Sequence, residues 1–132
     1  MQINSLDNFR SRYGFEAINT IVRVVSQSIR NIVREEDFLG RWTDDVFFVV
    51  MAECGPTQLL RMADRIKQTV AGAEVRWWGD RLPVTVSFGA TLAEQEDSLE
   101  ALIERVESSL RKTWNVGEKS LVFHESSGGA KE

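Results

Sequence analysis

The sequence predicts an α+β fold, a mixed and mostly antiparallel central sheet with a βαββαβ core and helices packed around it. Three observations predict it. Apolar residues recur at three-and-four spacing in three separate windows, the period of amphipathic helices. Between the first and second windows, Val46-Phe47-Phe48-Val49-Val50-Met51 is apolar without polar alternation, which reads as a strand covered on both faces. Further on, Val84, Val86 and Phe88 alternate with Thr85, Ser87 and Gly89, the pattern of a strand with one side in the core and the other side small and polar.

From the N-terminus, Met1 to Leu6 is short and partly apolar, a candidate edge or first strand, and Asn8 to Arg12 is polar with one candidate for burial, Phe9. Phe15, Ile18, Ile21, Val22, Val25, Ile29, Ile32 and Val33 then predict an amphipathic helix ending near Arg34. Asp37 to Trp42 is the strand that pairs with the central apolar run, and the polar cluster Thr43-Asp44-Asp45 closes the hairpin between them. Gly55-Pro56-Thr57 opens a second helix, because proline suits the first helical turn. Leu59, Leu60, Ala63, Ile66 and Val70 form its inner face, and Ala71-Gly72-Ala73 closes it. Glu74 to Trp78 and Pro83 to Leu92 are extended runs joined as a hairpin through Gly79-Asp80-Arg81-Leu82. Asp97 reads as the N-cap of a third helix, with Glu100 placed as in a capping box and Leu99, Leu102, Ile103, Val106 and Leu110 on its inner stripe. Leu121 to Phe123 is a last strand, and residues 125–132 read as a flexible C-terminal tail or linker after a domain of residues 1–124.

A chain of 132 residues with 42% hydrophobic content is the size of one domain with a real core. The net charge is −4 with the basic residues scattered, so no DNA or RNA partner is expected, although two or three arginines can still hold a small anion. The single cysteine, Cys54, allows no internal disulfide and points to a reducing, cytoplasmic setting. Apolar runs stop well short of the ~20 residues of a membrane span, so this segment is expected not to insert in a membrane. Met1 leads almost directly into structured sequence, as in a piece of a larger protein. Cys54 reads as a small apolar filler and His124 as a surface side chain without partners for catalysis. Of Trp77 and Trp78, one indole is expected in the core and the other exposed, since neighbours on a strand point to opposite faces.

Several strings resemble the GGDEF domain, the diguanylate cyclase family that joins two GTP molecules into cyclic di-GMP in bacterial signalling. Tyr13-Gly14-Phe15 stands where the family has a Tyr/Phe-Gly-His string, and Arg41-Trp42-Thr43-Asp44-Asp45-Val46-Phe47 stands where it has Arg, an aromatic and then Gly-Gly-Asp/Glu-Glu-Phe. Ala63-Asp64-Arg65-Ile66 resembles its Ala-Glu-Arg-Ile string, and Val84-Thr85-Val86-Ser87-Phe88-Gly89 its Val-Thr-Val-Ser-x-Gly strand. The resemblance covers nearly the whole chain and implies the GGDEF, or nucleotidyl-cyclase-like, fold.

It also implies a degenerate member. The family's metal-holding acids correspond to Gln2 and Asp45, its catalytic glutamate to Val46, and its two glycines to Thr43 and Asp44, which would crowd and repel a triphosphate. The guanine-reading positions correspond to Arg10 and Asn19, and the phosphate-binding lysine and arginine to Trp114 and Glu118. The expectation is therefore no cyclase activity, no metal and no cofactor. What the resemblance retains is the family's inhibitory motif Arg-x-x-Asp, here Arg34-Glu35-Glu36-Asp37, with Arg65 as a third contact. An arginine fork can bond guanine O6 and N7, and an aspartate can accept from its N1–H and 2-amino group. The implied function is a catalytically silent signalling domain that takes cyclic di-GMP at Arg34, Asp37 and Arg65; the alternative is a ligand-independent interaction or dimerisation domain. Partners would be other domains of the parent protein, a protein effector or a second copy.

Overall fold

Residues 1–114 and 121–124 are described by a computed structural model. The order is β1 (Gln2–Ile3), α1 (Leu6–Tyr13), α2 (Phe15–Ile32), β2 (Phe38–Arg41), β3 (Phe47–Val50), α3 (Pro56–Gly72), β4 (Arg76–Trp77), β5 (Asp80–Arg81), β6 (Val86–Thr91), α4 (Leu99–Trp114) and β7 (Leu121–His124). The 125–132 tail and Glu118 lie outside the described residues. Among the described residues, no helix is long and apolar enough to cross a membrane.

The sheet is assembled around β1. Ile3 and Gln2 pair antiparallel with Val86 and Ser87 of β6, and β6 in turn pairs parallel with β7. On its other side, Met1 and Phe47 exchange backbone bonds, and Ile3 N–H donates to the Asp45 carbonyl at 2.8 Å. β1 is therefore an interior strand, not the candidate edge, and it ties the β2–β3 hairpin to the rest. The Met1 amino group is buried in this pairing, and burial pushes it down to about 5.

The core lies on one side of the sheet, where Ile18, Ile21, Val25 and Ile29 of α2 meet Ala63, Ile66 and Val70 of α3 over Ile3, Phe47, Val86 and Phe88. Phe15, expected on the inner stripe of α2, is 74% exposed because it sits in the first turn, beyond the edge of that contact. The sequence assigned no helix to Asn8–Arg12, yet Leu6, Phe9 and Tyr13 have the spacing that lets α1 lie against α2. α3 begins as expected at Pro56, with Gln58 Oε1 accepting from Gly55 N–H at 3.0 Å.

The two main strands differ from expectation in what covers them. β6 is covered on both faces: α4 lies on its small side, so Ser87 is 5% exposed, and a Cβ on Gly89 would come within 2.4 Å of Leu110 N and 2.6 Å of Val106 O. The small residues are small because a helix sits on them. β3 is covered on one face only. Phe48 and Val50, with Phe38 opposite Val50 in register and Trp42 edge-on to the Phe48 ring at 4.9 Å, line a hollow of about 600 Å³ whose wall also includes Leu99 and Ile103 of α4. Val50 is 55% and Phe38 64% exposed.

Two smaller corrections concern turns. Glu74–Trp78 does not form a hairpin with Pro83–Leu92; it folds back at Trp78-Gly79, so that Arg76 pairs with Arg81 and Trp77 with Asp80. Asp97 is not the cap of α4. Ser98 Oγ accepts from Ala101 N–H at 3.1 Å instead, while Asp97 takes a two-pronged bond from Arg105, at 2.7 and 2.8 Å. Arg105, assigned by the sequence to the polar face, also donates to Thr91 Oγ1 and the Leu92 carbonyl, and so fastens the 91–97 connection to α4.

Gly89→Ala is expected to lower stability by at least about 2–3 kcal/mol, because the added methyl meets helix backbone that cannot yield locally. A urea midpoint equal to that of the unmodified chain would show that α4 can move off the sheet.

Candidate functional site

Two clusters hold the residues singled out by the sequence. The first is the tip of the β2–β3 hairpin. Trp42 and Thr43 N–H groups both donate to the Val46 carbonyl, which turns Thr43, Asp44 and Asp45 outward. Arg41 braces the turn from Nε to the Thr43 carbonyl at 3.2 Å and from Nη2 to the Asp44 carbonyl at 3.1 Å.

Each carboxylate here meets an internal partner. Asp44 stands between Arg10 at 3.6 Å and Arg41 at 3.7 Å, with its own side chain 78% exposed, so both pairs are screened and weak. Arg10 is held more closely by Asp7, at 2.6 Å, and its guanidinium lies 5.9 Å from the Phe15 ring centre. Asp45 accepts from Thr43 Oγ1 at 3.0 Å and from Gln2 Nε2 at 3.0 Å. The Gln2 amide is completed by Trp114, whose indole N–H donates to Gln2 Oε1 at 2.6 Å. This chain has one consistent orientation, because an indole can only donate and a carboxylate can only accept. Val46 bridges Gln2 in the backbone and adds no polar side-chain atom, while Phe47 is buried. Asn19 is exposed on α2.

The second cluster follows α2. Val33 leaves helical geometry at ψ 148°, and Asp37 N–H donates to the Arg34 carbonyl at 3.0 Å, closing a turn. Arg34 donates Nε to Asp37 Oδ2 at 3.1 Å and Nη2 to Oδ1 at 2.9 Å, and its backbone N–H reaches Oδ2 at 2.9 Å. Nη2 also donates to the Ala52 carbonyl at 2.9 Å, and Glu36 stands 3.5 Å from Nε. The Asp37 side chain has no exposed surface, whereas 40% of the Arg34 side chain faces solvent. These bonds from Arg34 hold the Asp37 carboxyl below its ordinary value and raise Arg34 in return. Nearby, burial pushes the Cys54 thiol up, and its sulfur donates to the Gly55 carbonyl at 3.3 Å.

The structure thus brings Arg34 and Asp37 together. Arg65 is exposed on α3, and no hydrogen bond or ion pair links it to either of them among the described residues. Also among the described residues, no group of three or more His, Cys, Asp or Glu side chains is placed to hold a metal ion.

A family model described as "Diguanylate cyclase, GGDEF domain" matches residues 1–120. The chain belongs to the GGDEF domain family. Diguanylate cyclase DgcP of Pseudomonas aeruginosa is 22% identical over 121 residues, which cover 92% of this chain and 18% of DgcP. The fold is similar to that of diguanylate cyclase SiaD from Pseudomonas aeruginosa, solved in complex with its activator SiaC, with a TM-score of 0.89, 19% identity and coverage of 93% and 47% of the two chains. It is also similar to the GGDEF domain of DgcB from Caulobacter crescentus, solved in complex with c-di-GMP, with a TM-score of 0.85, 17% identity and coverage of 92% and 73%. The chain spans about a quarter or less of the length of the first curated relatives it matches.

The residues that the resemblance set against the family's motif, Thr43, Asp44, Asp45, Val46 and Phe47, lie at the hairpin tip and the start of β3. Sequence reasoning paired Gln2 with Asp45, as the positions of the family's metal-holding acids, but did not join Trp114 to them. Nothing local signals a bond between residues 112 positions apart.

Asp37→Asn is expected to lower stability by about 1–2 kcal/mol near neutral pH, a charge-assisted bond discounted for the exposure of Arg34. The contribution of the depressed Asp37 carboxyl is fully present above its ordinary value of 3.8 and is lost as pH falls through the lower folded value. Denaturant midpoints of the two proteins should therefore converge on acidification; a gap independent of pH would remove the charge from the explanation.

Proposed function

We propose that this GGDEF domain does not cyclise GTP and acts as a signalling module that takes cyclic di-GMP at Arg34, Asp37 and Arg65. The observation that carries the first half is the closed chain from Trp114 through Gln2 to Asp45. Phosphoryl transfer depends on cations placed around the phosphates. A magnesium-class ion takes about six oxygen ligands. Here it would find one carboxylate, already bonded to an amide and a hydroxyl, one amide oxygen already bonded to an indole, and a valine. These residues do not fit the metal. Asp44 adds a negative charge at the same tip, and the resemblance sets Arg10 and Asn19 against the family's guanine-reading positions.

The receptor half is supported by the geometry of Arg34. Asp37 and the Ala52 carbonyl take the Nε proton and both Nη2 protons, which fixes the guanidinium plane of this partly exposed side chain and leaves Nη1 to meet a ligand. A guanine meeting that group loses little side-chain entropy from the arginine. Because Asp37 is covered, its first role is to position Arg34, and it reaches the base only if the turn opens. Arg65 supplies a second exposed cation.

A second reading, ligand-independent docking, is favoured by the apolar face of the β2–β3 hairpin, where Phe38, Trp42 and Val50 are each more than half exposed.

Incubation with GTP and magnesium should yield no cyclic dinucleotide above the protein-free blank; turnover would defeat the first half. In isothermal titration, cyclic di-GMP should release heat that Arg34→Ala abolishes and that Arg65→Ala weakens about tenfold, the loss of one charge-assisted contact. No heat at high protein concentration, or heat unchanged in Arg34→Ala, would leave docking as the better reading.

A further inference from the structure

We propose that the hollow between β3 and β6 is a strand-shaped slot for the C-terminus of a partner polypeptide, a short apolar segment that pairs with both strands and brings its end carboxylate to the Met1 amino group. The slot is the continuation of β1.

β1 separates β3 from β6 only as far as Met1. Its register sets Met1 opposite Phe47 on one side and Gln2 opposite Ser87 on the other, so the next two places in line fall between Phe48 and Gly89, then between Val49 and Ala90. Among the described residues no strand occupies them, since the pairing of Phe48 to Val50 is with β2 and that of Phe88 to Ala90 is with β7. Helices close the space on both faces of the sheet. Met62 and Ile66 of α3 line the core side, and Ile103 and Val106 of α4 line the other. Where β1 holds them apart, β3 and β6 stand two strand spacings from each other, about 9.6 Å, which is the room of one strand. A helix, roughly 10–12 Å across with its backbone bonds spent internally, suits the gap less.

The walls also offer backbone. Trp42 N–H donates to the Val46 carbonyl, so alternation turns the polar groups of Phe48 and Val50 toward β2 and those of Val49 into the slot. On β6, Asn4 N–H donates to the Thr85 carbonyl, so Ser87 and then Gly89 turn theirs toward the β1 line. Val49 and Gly89 therefore aim N–H and C=O groups into an apolar hollow, where backbone groups left unpaired are costly. An inserted strand answers all four. Its last residue exchanges bonds with Gly89 and the residue before it with Val49, and the apolar side chains go to the two helices in turn.

Charge selects the direction. The slot ends at the Met1 amino group, which donates to the Phe47 carbonyl at 2.9 Å and has no acid within ion-pair reach among the described residues. A segment running toward Met1 is antiparallel to both walls, as β1 is, and sets a carboxylate beside that amine; the reverse direction sets amine against amine. This chain's own C-terminus, Ala130-Lys131-Glu132, is too polar for these walls, so the segment belongs to a different polypeptide and not to a second copy.

The probe is the acetylated peptide Lys-Lys-Gly-Leu-Val-Leu-Val with a free C-terminal carboxylate, titrated into the full chain while the Val49 and Gly89 amides are followed by NMR. Both amides should shift saturably in the millimolar range or below, and at saturation their hydrogen exchange should slow at least about tenfold. Amidating the peptide's C-terminus should weaken binding at least about tenfold, the loss of one charge-assisted contact. Proline in place of the penultimate leucine removes the N–H that meets the Val49 carbonyl, and should abolish both shifts. No saturable shift, undiminished binding of the proline peptide, or equal binding of the amidated peptide would overturn the proposal. The titration contains no nucleotide, so its failure leaves the reading of Arg34 untouched.

Discussion

The fold depends on a very short strand bonded on both sides. Met1 to Ile3 meets Phe47 and Asp45 on one edge and Val86 and Ser87 on the other, so a few residues join the β2–β3 hairpin to β6 and β7. Ile3 is 1% exposed at the centre of the core cluster. Alternation then fixes what Gln2 can do. With Ile3 facing α2 and α3, Gln2 must face the other side, where the hairpin tip and the end of α4 are within reach. The bond from Trp114 follows from that register, as does the bond to Asp45.

The polar groups of the two clusters share a design. Asp45, Asp44 and Asp37 each sit where an unpaired acid would be costly or repulsive, and each is met from within the chain, by Gln2, by Arg10 and Arg41, and by Arg34. The bonds differ in strength. The Asp37 pair is short, two-pronged and covered, while those at Asp44 exceed 3.5 Å in the open. The turn after α2 is thus rigid and the hairpin tip is loosely braced, which suits recognition at Arg34 better than chemistry at Asp44.

Much of this was legible in the sequence. Helical spacing located α2, α3 and α4, and Gly55-Pro56 marked the start of α3 because proline's missing N–H is harmless in a first turn. The family resemblance drew attention to the hairpin tip and to Arg34 and Asp37, which the structure brings together. What failed was the inference from strand pattern to cover. A run of apolar residues in β3 implied two buried faces, yet one face is open; the small, polar side of β6 was not assigned to the core, yet α4 lies on it. Pattern reports what a face could tolerate, and only the topology decides what covers it. Asp97 failed for a related reason. It looked like a cap by its position, but Arg105, one helical stretch away, offers a charged partner that holds its carboxyl at about 2, a stronger attraction than backbone N–H groups alone provide.

Departures from local rules in this chain fall into two kinds. Those at Gln2, Asp44 and Asp37 are compensated inside the molecule, so each can be explained by the structure alone. Those on the β4–β5 hairpin are compensated less: Trp78 keeps a positive φ with its ring touching Trp77 edge-on, and Arg76 stands opposite Arg81 with only a 3.9 Å contact to Glu74. Stability alone favours an Asn-Gly turn with unlike charges across the strands, an arrangement within a few substitutions of this one.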